Sequence, residues 1–142
     1  MWSDLLEPGV IVAILAAGIR LATPYLFDSI GETIGQLSGV LNLGVEGTML
    51  ISAFAAYYVT FQTGNPWFGL VVALLAGGLF GALMALATVT LKAQQGIAGI
   101  AVYLVGLGLS DLLFTKSGIG SRRINSIPKL DIPVLSDLPA VG

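Results

Sequence analysis

The stretch Trp67–Leu91, with the sequence WFGLVVALLAGGLFGALMALATVTL, decides the fold because it contains no charged side chain. A helix that crosses the hydrocarbon core of a bilayer needs about 20 consecutive, mostly apolar residues, and this stretch is long enough. In lipid, an open strand would leave its backbone N–H and C=O groups without partners, whereas a helix satisfies them internally. The stretch therefore predicts a membrane-spanning helix.

Three other apolar segments accompany it along the chain. They are Val10–Phe27, which Arg20 and Pro24 interrupt, Val45–Phe61 and Ile97–Phe114. Each has a length suited to a membrane crossing. The sequence thus predicts an all-α membrane protein, a polytopic bundle of transmembrane helices. Its expected spans, about four in number, cover residues 10–37, 45–61, 67–91 and 97–114.

The composition supports a membrane protein and excludes several other classes. Of the 142 residues, 56% are hydrophobic and only 10% are charged, whereas a soluble domain carries about a quarter charged residues. A net charge of −2 gives no basic footprint for nucleic acid. The chain has no Cys and no His, which excludes disulfides, Cys/His zinc sites and His-based catalytic triads. We therefore predict no catalytic residue, no cofactor and no metal site.

The first span is expected to break near Pro24 and then to continue to about Leu37. Proline has no N–H to donate to the carbonyl of Arg20, so the helix loses one bond there. Beyond the break, polar side chains recur every four residues on one helix face, at Asp28, Glu32 and Gln36.

The run Gly39–Gly47, GVLNLGVEG, ends this helix and starts the next one. Asn42 or Gly44 is the expected N-cap of the second span. Glu46 falls in the first turn, where a negative charge suits the positive end of the helix dipole.

A stripe of small residues is expected to pack the third span against a neighbour. Membrane helices associate through such faces because no water drives them together. The stripe consists of Gly69, Ala73, Gly77, Gly81 and Ala85.

Three polar or aromatic side chains are candidates for lining a transport pathway. Arg20 lies within an apolar segment, so it either faces protein or a wet cavity, or snorkels towards the surface. Glu32 either lines a pathway or emerges into water. Tyr103, between Gly99 and Gly106, either offers a ring for stacking on a nucleobase or sugar, or packs within the bundle.

Ser38–Ala53 reads SGVLNLGVEGTMLISA, and this run resembles the inner-membrane permeases of bacterial ABC importers that depend on a binding protein. The likeness is closest to the branch for nucleosides and simple sugars, in which a run of this kind is characteristic. Three further stretches agree with the family, and these are Arg20–Pro24, Gln95–Leu109 and Ile132–Pro139. The resemblance therefore extends over nearly the whole chain.

The resemblance implies a multi-pass permease subunit that moves a nucleoside or simple sugar across the inner membrane by alternating access. It also implies contacts with membrane lipid, a cytoplasmic ATPase subunit, a second permease subunit and an external substrate-binding lipoprotein, but not with nucleic acid. The chain has no GxxxxGK[ST] loop, so ATP hydrolysis is expected in the partner subunit. On family grounds Asn42 and Glu46 join the candidate pathway residues, with a role in holding the helix break as an equal alternative.

Two features depart from the family. A charged pair usually precedes the position of Ser38, where this chain has Gln36 and Leu37. Family permeases are also considerably longer. We therefore expect a fragment or a truncated gene product, in which residues 115–142 form a loop before a missing next span.

Other functions compete with this one. A branched-chain amino-acid permease of the same family has a similar run but tends to carry His at the position of Glu46. A channel or secondary carrier would work without an ATPase. A structural membrane subunit would carry no cargo.

Two arguments disagree about orientation. The resemblance places the N-terminus outside, with Lys92 and the turn at Gly39–Gly47 in the cytoplasm. The positive-inside rule prefers the reverse, because most basic side chains would then be external. We follow the resemblance, since the tail matches a family loop and long translocated segments escape the rule. The basic residues in question are Lys116, Arg122, Arg123 and Lys129.

Overall fold

The computed structural model of the protein describes residues 7–120 and 122–128. Over these residues the chain forms four α-helices and one π-helical segment, and no strand occurs among them. The predicted all-α architecture is confirmed. The helices are α1 (Pro8–Leu37), α2 (Val45–Thr63), α3 (Pro66–Ala85), the π-helical segment (Leu86–Thr90) and α4 (Gln95–Ser117).

The terminal loop expected over residues 115–142 begins later than predicted, because α4 continues to Ser117. Gly118 follows with a positive φ of 63°, a conformation in which helices commonly end on glycine. Ser121 and residues 129–142, which include the stretch Ile132–Pro139, lie outside the described residues.

Three helical stretches of the described chain are long and apolar enough to cross a membrane. They are Pro8–Leu37, Pro66–Thr90 and Gln95–Ser117. The helix α2 is not among them, and its 19 residues include Glu46 in the first turn. The structure thus fits a membrane helix bundle, while a crossing by α2, and with it the count of four spans, stays a prediction.

The chain divides into two compact units, Met1–Thr33 with Pro128–Gly142, and Ile34–Ile127. The first unit holds most of α1. The second unit holds the end of α1, the helix break and the remaining helices, and it contains the site described below.

The expected break of α1 near Pro24 is not seen, since the helix runs from Pro8 to Leu37 with Pro24 inside it. Proline removes one backbone donor but fixes φ at a value that a helix accepts. Membrane helices tolerate it because nearby hydroxyl groups and neighbouring elements compensate for the lost bond. The prediction of a broken first helix was therefore wrong in its local detail.

Within the second unit, α2 lies between α3 and α4 and packs against both. The turn from α2 to α3 is short because Asn65 caps α3: its side-chain Oδ1 accepts the N–H of Trp67 over 3.0 Å. Pro66 occupies the first helical position, where its missing N–H would have no partner in any case. These local signals make α2 and α3 antiparallel neighbours.

Small residues form the first part of the contact between α2 and α3. A Cβ added at Gly69 would collide with the Thr60 hydroxyl and lie 2.8 Å from the Ala56 carbonyl oxygen. A Cβ added at Gly77 would lie 3.0 Å from the hydroxyl oxygen of Ser52. The backbones of α2 and α3 approach closely at these two glycines.

Further along α3, the buried face departs from the predicted stripe. Phe80 and Met84 are only 6% and 2% exposed, whereas Gly81 and Ala85 are exposed. A step of four residues overshoots a helical turn by about 40°, so a row of such steps winds away from a fixed neighbour. The positions Gly77, Phe80 and Met84 are separated by three and then four residues, so they remain on one face of α3.

A π turn ends α3. The N–H of Leu91 donates to the carbonyl of Leu86 over 2.9 Å, five residues back. Lys92 follows with a φ of 54°, a left-handed conformation that residues other than glycine rarely adopt. The chain reverses there and reaches the start of α4 at Gln95.

We predict that Gly69→Ala destabilises the bundle and that Gly78→Ala does not. The added methyl at Gly69 meets Thr60 and Ala56, an overpacking that costs about 1–3 kcal/mol. Gly78 lies in the same helix with nothing within 4 Å of a new Cβ. There alanine should be neutral or stabilising by up to about 1 kcal/mol, because it is the better helix former. Thermal unfolding of the purified protein in detergent measures both, and equal melting temperatures would contradict the packing described.

Candidate functional site

The end of α1 is closed by a Schellman motif. The N–H of Gly39 donates to the carbonyl of Gln36 over 2.9 Å, and the N–H of Val40 donates to that of Gly35 over 3.2 Å. Gly39 has a φ of +83°, which glycine adopts without the steric penalty of a Cβ. The sequence at this point therefore ends α1 abruptly and turns the chain towards α2.

Two side-chain amides bind the backbone of the segment between α1 and α2. The Oδ1 of Asn42 accepts the N–H of Gly44 over 2.9 Å, just before α2 begins at Val45. From the start of α4, the Oε1 of Gln95 accepts the N–H of Leu41 over 2.8 Å. The Nε2 of the same side chain donates to the carbonyl of Gly39 over 2.9 Å. We call residues 38–44 the helix break.

Glycines bring the helix break and the start of α2 into backbone contact with α4. A Cβ added at Gly99 would lie 2.8 Å from the backbone nitrogen of Leu43. One added at Gly44 would lie 2.9 Å from the carbonyl oxygen of Gly99. One added at Gly106 would collide with the Gly47 carbonyl group. Any larger residue at these positions forces the two segments apart.

The structure brings three of the five predicted pathway residues to this region. Asn42 is half-buried in the helix break, and Glu46 is exposed in the first turn of α2. Tyr103 is half-buried on α4, and its Cα would lie 2.6 Å from a Cβ added at Gly47. A carboxylate, an amide and a phenol thus belong to the helix break, the first turn of α2 and the facing part of α4.

The other two predicted residues, Arg20 and Glu32, belong to the first compact unit. Arg20 is exposed, and its Nε donates to the carbonyl of Ala16 over 3.3 Å within α1. Glu32 lies half-buried near the end of that unit. Their participation in a common site with Asn42 and Glu46 stays a prediction.

Sequence reasoning missed the partners that α4 supplies to the helix break. Gly99 and Gly106 are seven residues apart, which places them on one face of a helix two turns apart. That spacing was the available signal for the close contact. For Gln95 no signal existed, because its two partners lie 54 and 56 residues away in the sequence.

A second concave region lies between α2 and α4, a groove of about 370 Å³. Its wall is mainly apolar, with Tyr57 and Phe114 in tilted ring contact at a centroid distance of 6.1 Å. Asp111 contributes the carboxylate of the groove. The hydroxyl of Tyr57 lies 2.8 Å from the carbonyl oxygen of Gly120 and 2.9 Å from that of Arg122, which holds the segment after α4 against α2.

Residues 14–136 match the family described as "Branched-chain amino acid transport system / permease component". The chain belongs to this permease family. Together with its three long apolar helices, membership makes the chain a multi-pass protein of the inner membrane. The resemblance seen in the sequence is thereby confirmed.

Individual relatives of this permease are transporter proteins rather than enzymes. A putative glucose ABC transporter permease of Haloferax volcanii is 38% identical over 91% of the chain and 40% of the relative. A guanosine ABC transporter permease of Bacillus subtilis is 32% identical over 94% of the chain and 44% of the relative. A nucleoside ABC transporter permease of Lactococcus lactis is 31% identical over 91% and 43%.

The chain spans less than half the length of these curated relatives. No solved structure matches it.

We predict that Gly106→Ala separates α2 from α4 and lowers stability, by about 1–3 kcal/mol, because the new methyl meets the backbone of Gly47. Gly108→Ala is the matched control, since it lies in the same helix with nothing within 4 Å of a new Cβ. The midpoint of SDS-induced unfolding reports the difference. If the unfolding midpoint of Gly108→Ala falls as far as that of Gly106→Ala, the loss of glycine itself is responsible and not contact with Gly47.

Proposed function

We propose that the chain forms part of the membrane-spanning permease subunit of an ATP-driven importer for nucleosides or simple sugars. The support is its family membership over residues 14–136 together with relatives named as glucose, guanosine and nucleoside permeases. The proposed activity is transport and not catalysis, with ATP bound and cleaved in a separate subunit.

The helix break is the observation on which this proposal depends most. The backbone of the break is held by hydrogen bonds from the side chains of Gln95 and Asn42. One side of the break rests on α4, and the break contains Asn42, while Glu46 follows in the first turn of α2. These polar groups are suited to hydrogen bonding with the hydroxyl groups of a sugar or ribose.

The proposed mechanism is alternating access between two packed arrangements of the helices. A ligand shifts such an equilibrium only by its differential affinity for the two states. Contacts through glycine, such as Gly47 with Gly106, lack interlocking side chains. They would permit α2 and α4 to shift against each other at low energetic cost.

The proposed assembly contains partners beyond the chain. A cytoplasmic ATPase subunit would supply energy, a second permease subunit would complete the pathway, and an external substrate-binding lipoprotein would deliver the cargo. Lipid would surround the apolar helices, of which Leu74, Leu75 and Leu79 present exposed side chains on α3.

A second substrate class, branched-chain amino acids, is favoured by the name of the family. The two classes differ in charge, because an amino acid carries both an ammonium and a carboxylate group. A competition experiment separates them. If the first proposal holds, unlabelled guanosine or glucose should reduce the uptake of labelled nucleoside or sugar, and unlabelled leucine should not.

We predict that Asn42→Ala combined with Glu46→Ala lowers nucleoside or sugar uptake about tenfold or more, where each tenfold loss equals about 1.4 kcal/mol of transition-state stabilisation. Uptake of labelled substrate is measured with the full-length protein and its partners, per folded transporter. Gln94→Ala is the control, because Gln94 is exposed and its side chain makes no capping bond to α4. Unchanged uptake in the double variant would remove both residues from the pathway, and uptake independent of ATP would favour a channel or secondary carrier.

We propose that the turn containing Lys92 faces the cytoplasm and that the segment after α4 faces outward. The chain has no native cysteine, so single cysteines can be labelled without background. In intact cells, a membrane-impermeant maleimide should label Ser121→Cys and should leave Gln94→Cys unlabelled until the membrane is opened. Labelling of Gln94→Cys in intact cells would show that the opposite orientation is correct.

A further inference from the structure

Gln95 joins the start of α4 to the helix break through both ends of one carboxamide group. Its Oε1 accepts the N–H of Leu41 over 2.8 Å, and its Nε2 donates to the carbonyl of Gly39 over 2.9 Å. The two bonded groups flank Val40, so a single side chain pairs with this backbone as a neighbouring peptide group would.

We propose that Gln95 is a positioning residue for transport, which fixes the helix break and thereby sets the place of Asn42. This inference rests on the proposed function of the chain as a permease. Leu41 directly precedes Asn42, and the Oδ1 of Asn42 in turn accepts the N–H of Gly44. The position of the Asn42 side chain therefore depends on where Gln95 holds the Leu41 amide.

The two hydrogen bonds that Gln95 makes, to Leu41 and to Gly39, restrict which side chain can replace it. A carboxamide offers an acceptor and a donor together, a carboxylate offers acceptors only, and a thioether of similar length offers neither a strong donor nor a strong acceptor. Gln95→Met thus removes both bonds with little change of shape. Gln95→Glu keeps the acceptor for Leu41 and removes the donor to Gly39.

The packing around the break keeps the effect of these substitutions local. The next part of the chain is held independently, since Gly44 and Leu43 contact Gly99, and Gly47 contacts Gly106. Loss of the Gln95 bonds should free residues 39–41 while α2 and α4 stay in contact. Gln95 also begins α4, so a displacement of this helix end would move the break with it.

Two measurements on the full-length permease with its partners test the proposal. Hydrogen exchange in a peptide covering residues 39–43 should become about tenfold faster in Gln95→Met, as expected for the loss of a hydrogen bond. It should rise less in Gln95→Glu, which retains the acceptor for Leu41 but loses the bond to Gly39. Exchange in the peptides around Gly47 and Gly106 should not change in either variant.

The maximal rate of nucleoside or sugar uptake per folded transporter should fall about tenfold in Gln95→Met, because the helix break is no longer held in place. It should also fall below wild type in Gln95→Glu, where the bond to Gly39 is lost. The melting temperature should match that of wild type. Gln94→Met is the matched control and should change neither exchange nor uptake.

Three outcomes would overturn the role of Gln95. Exchange over residues 39–43 that is unchanged in Gln95→Met would show that the bonds do not hold the break. Faster exchange with unchanged uptake would show that holding the break does not serve transport. A loss of uptake matched by a fall in melting temperature would assign Gln95 a structural role only. A wild-type complex that takes up neither nucleosides nor sugars would instead overturn the proposed function, whatever the exchange of residues 39–43.

Discussion

The structure depends on the rule that backbone N–H and C=O groups must find partners within the protein when water is absent. A continuous helix satisfies this rule by itself, but residues 38–44 interrupt the helical pattern. Their partners come from three sources: the last turn of α1, the side chain of Asn42 and the side chain of Gln95. Part of this support comes from α4, and the glycines at 44, 47, 99 and 106 permit its close approach to the break and to α2.

Much of this fold could be predicted from local sequence. Length and hydropathy identified the helices, and the glycine-rich run at 39–47 located the break, with α2 starting at Val45 as expected. The turn at Asn65 and Pro66 is also fixed by local capping. Such signals act over a few residues, so they are visible without knowledge of the neighbours.

The features that escaped prediction depend on what lies opposite. The stripe from Gly69 to Ala85 was sound as a helical pattern, yet the buried side chains further along α3 are Phe80 and Met84, because steps of four residues wind away from a fixed neighbour. Pro24 suggested a break that α1 does not make. In the candidate site, Tyr103 was predicted from its type and position, and Asn42 and Glu46 from the family resemblance, and their roles stay predictions. Gln95 could not be predicted, because its backbone partners lie far away in the sequence.

The π turn at Leu86–Thr90 accommodates one residue more than an α-helical turn closed at the same point. Relatives could therefore gain or lose a single amino acid here by exchanging one kind of turn for the other. The register of α4 against the break would survive such a change, because the alteration is absorbed before Gln95. An insertion within an uninterrupted α-helix would rotate every later side chain by about 100°, so among the helical segments this turn accepts changes of length most readily.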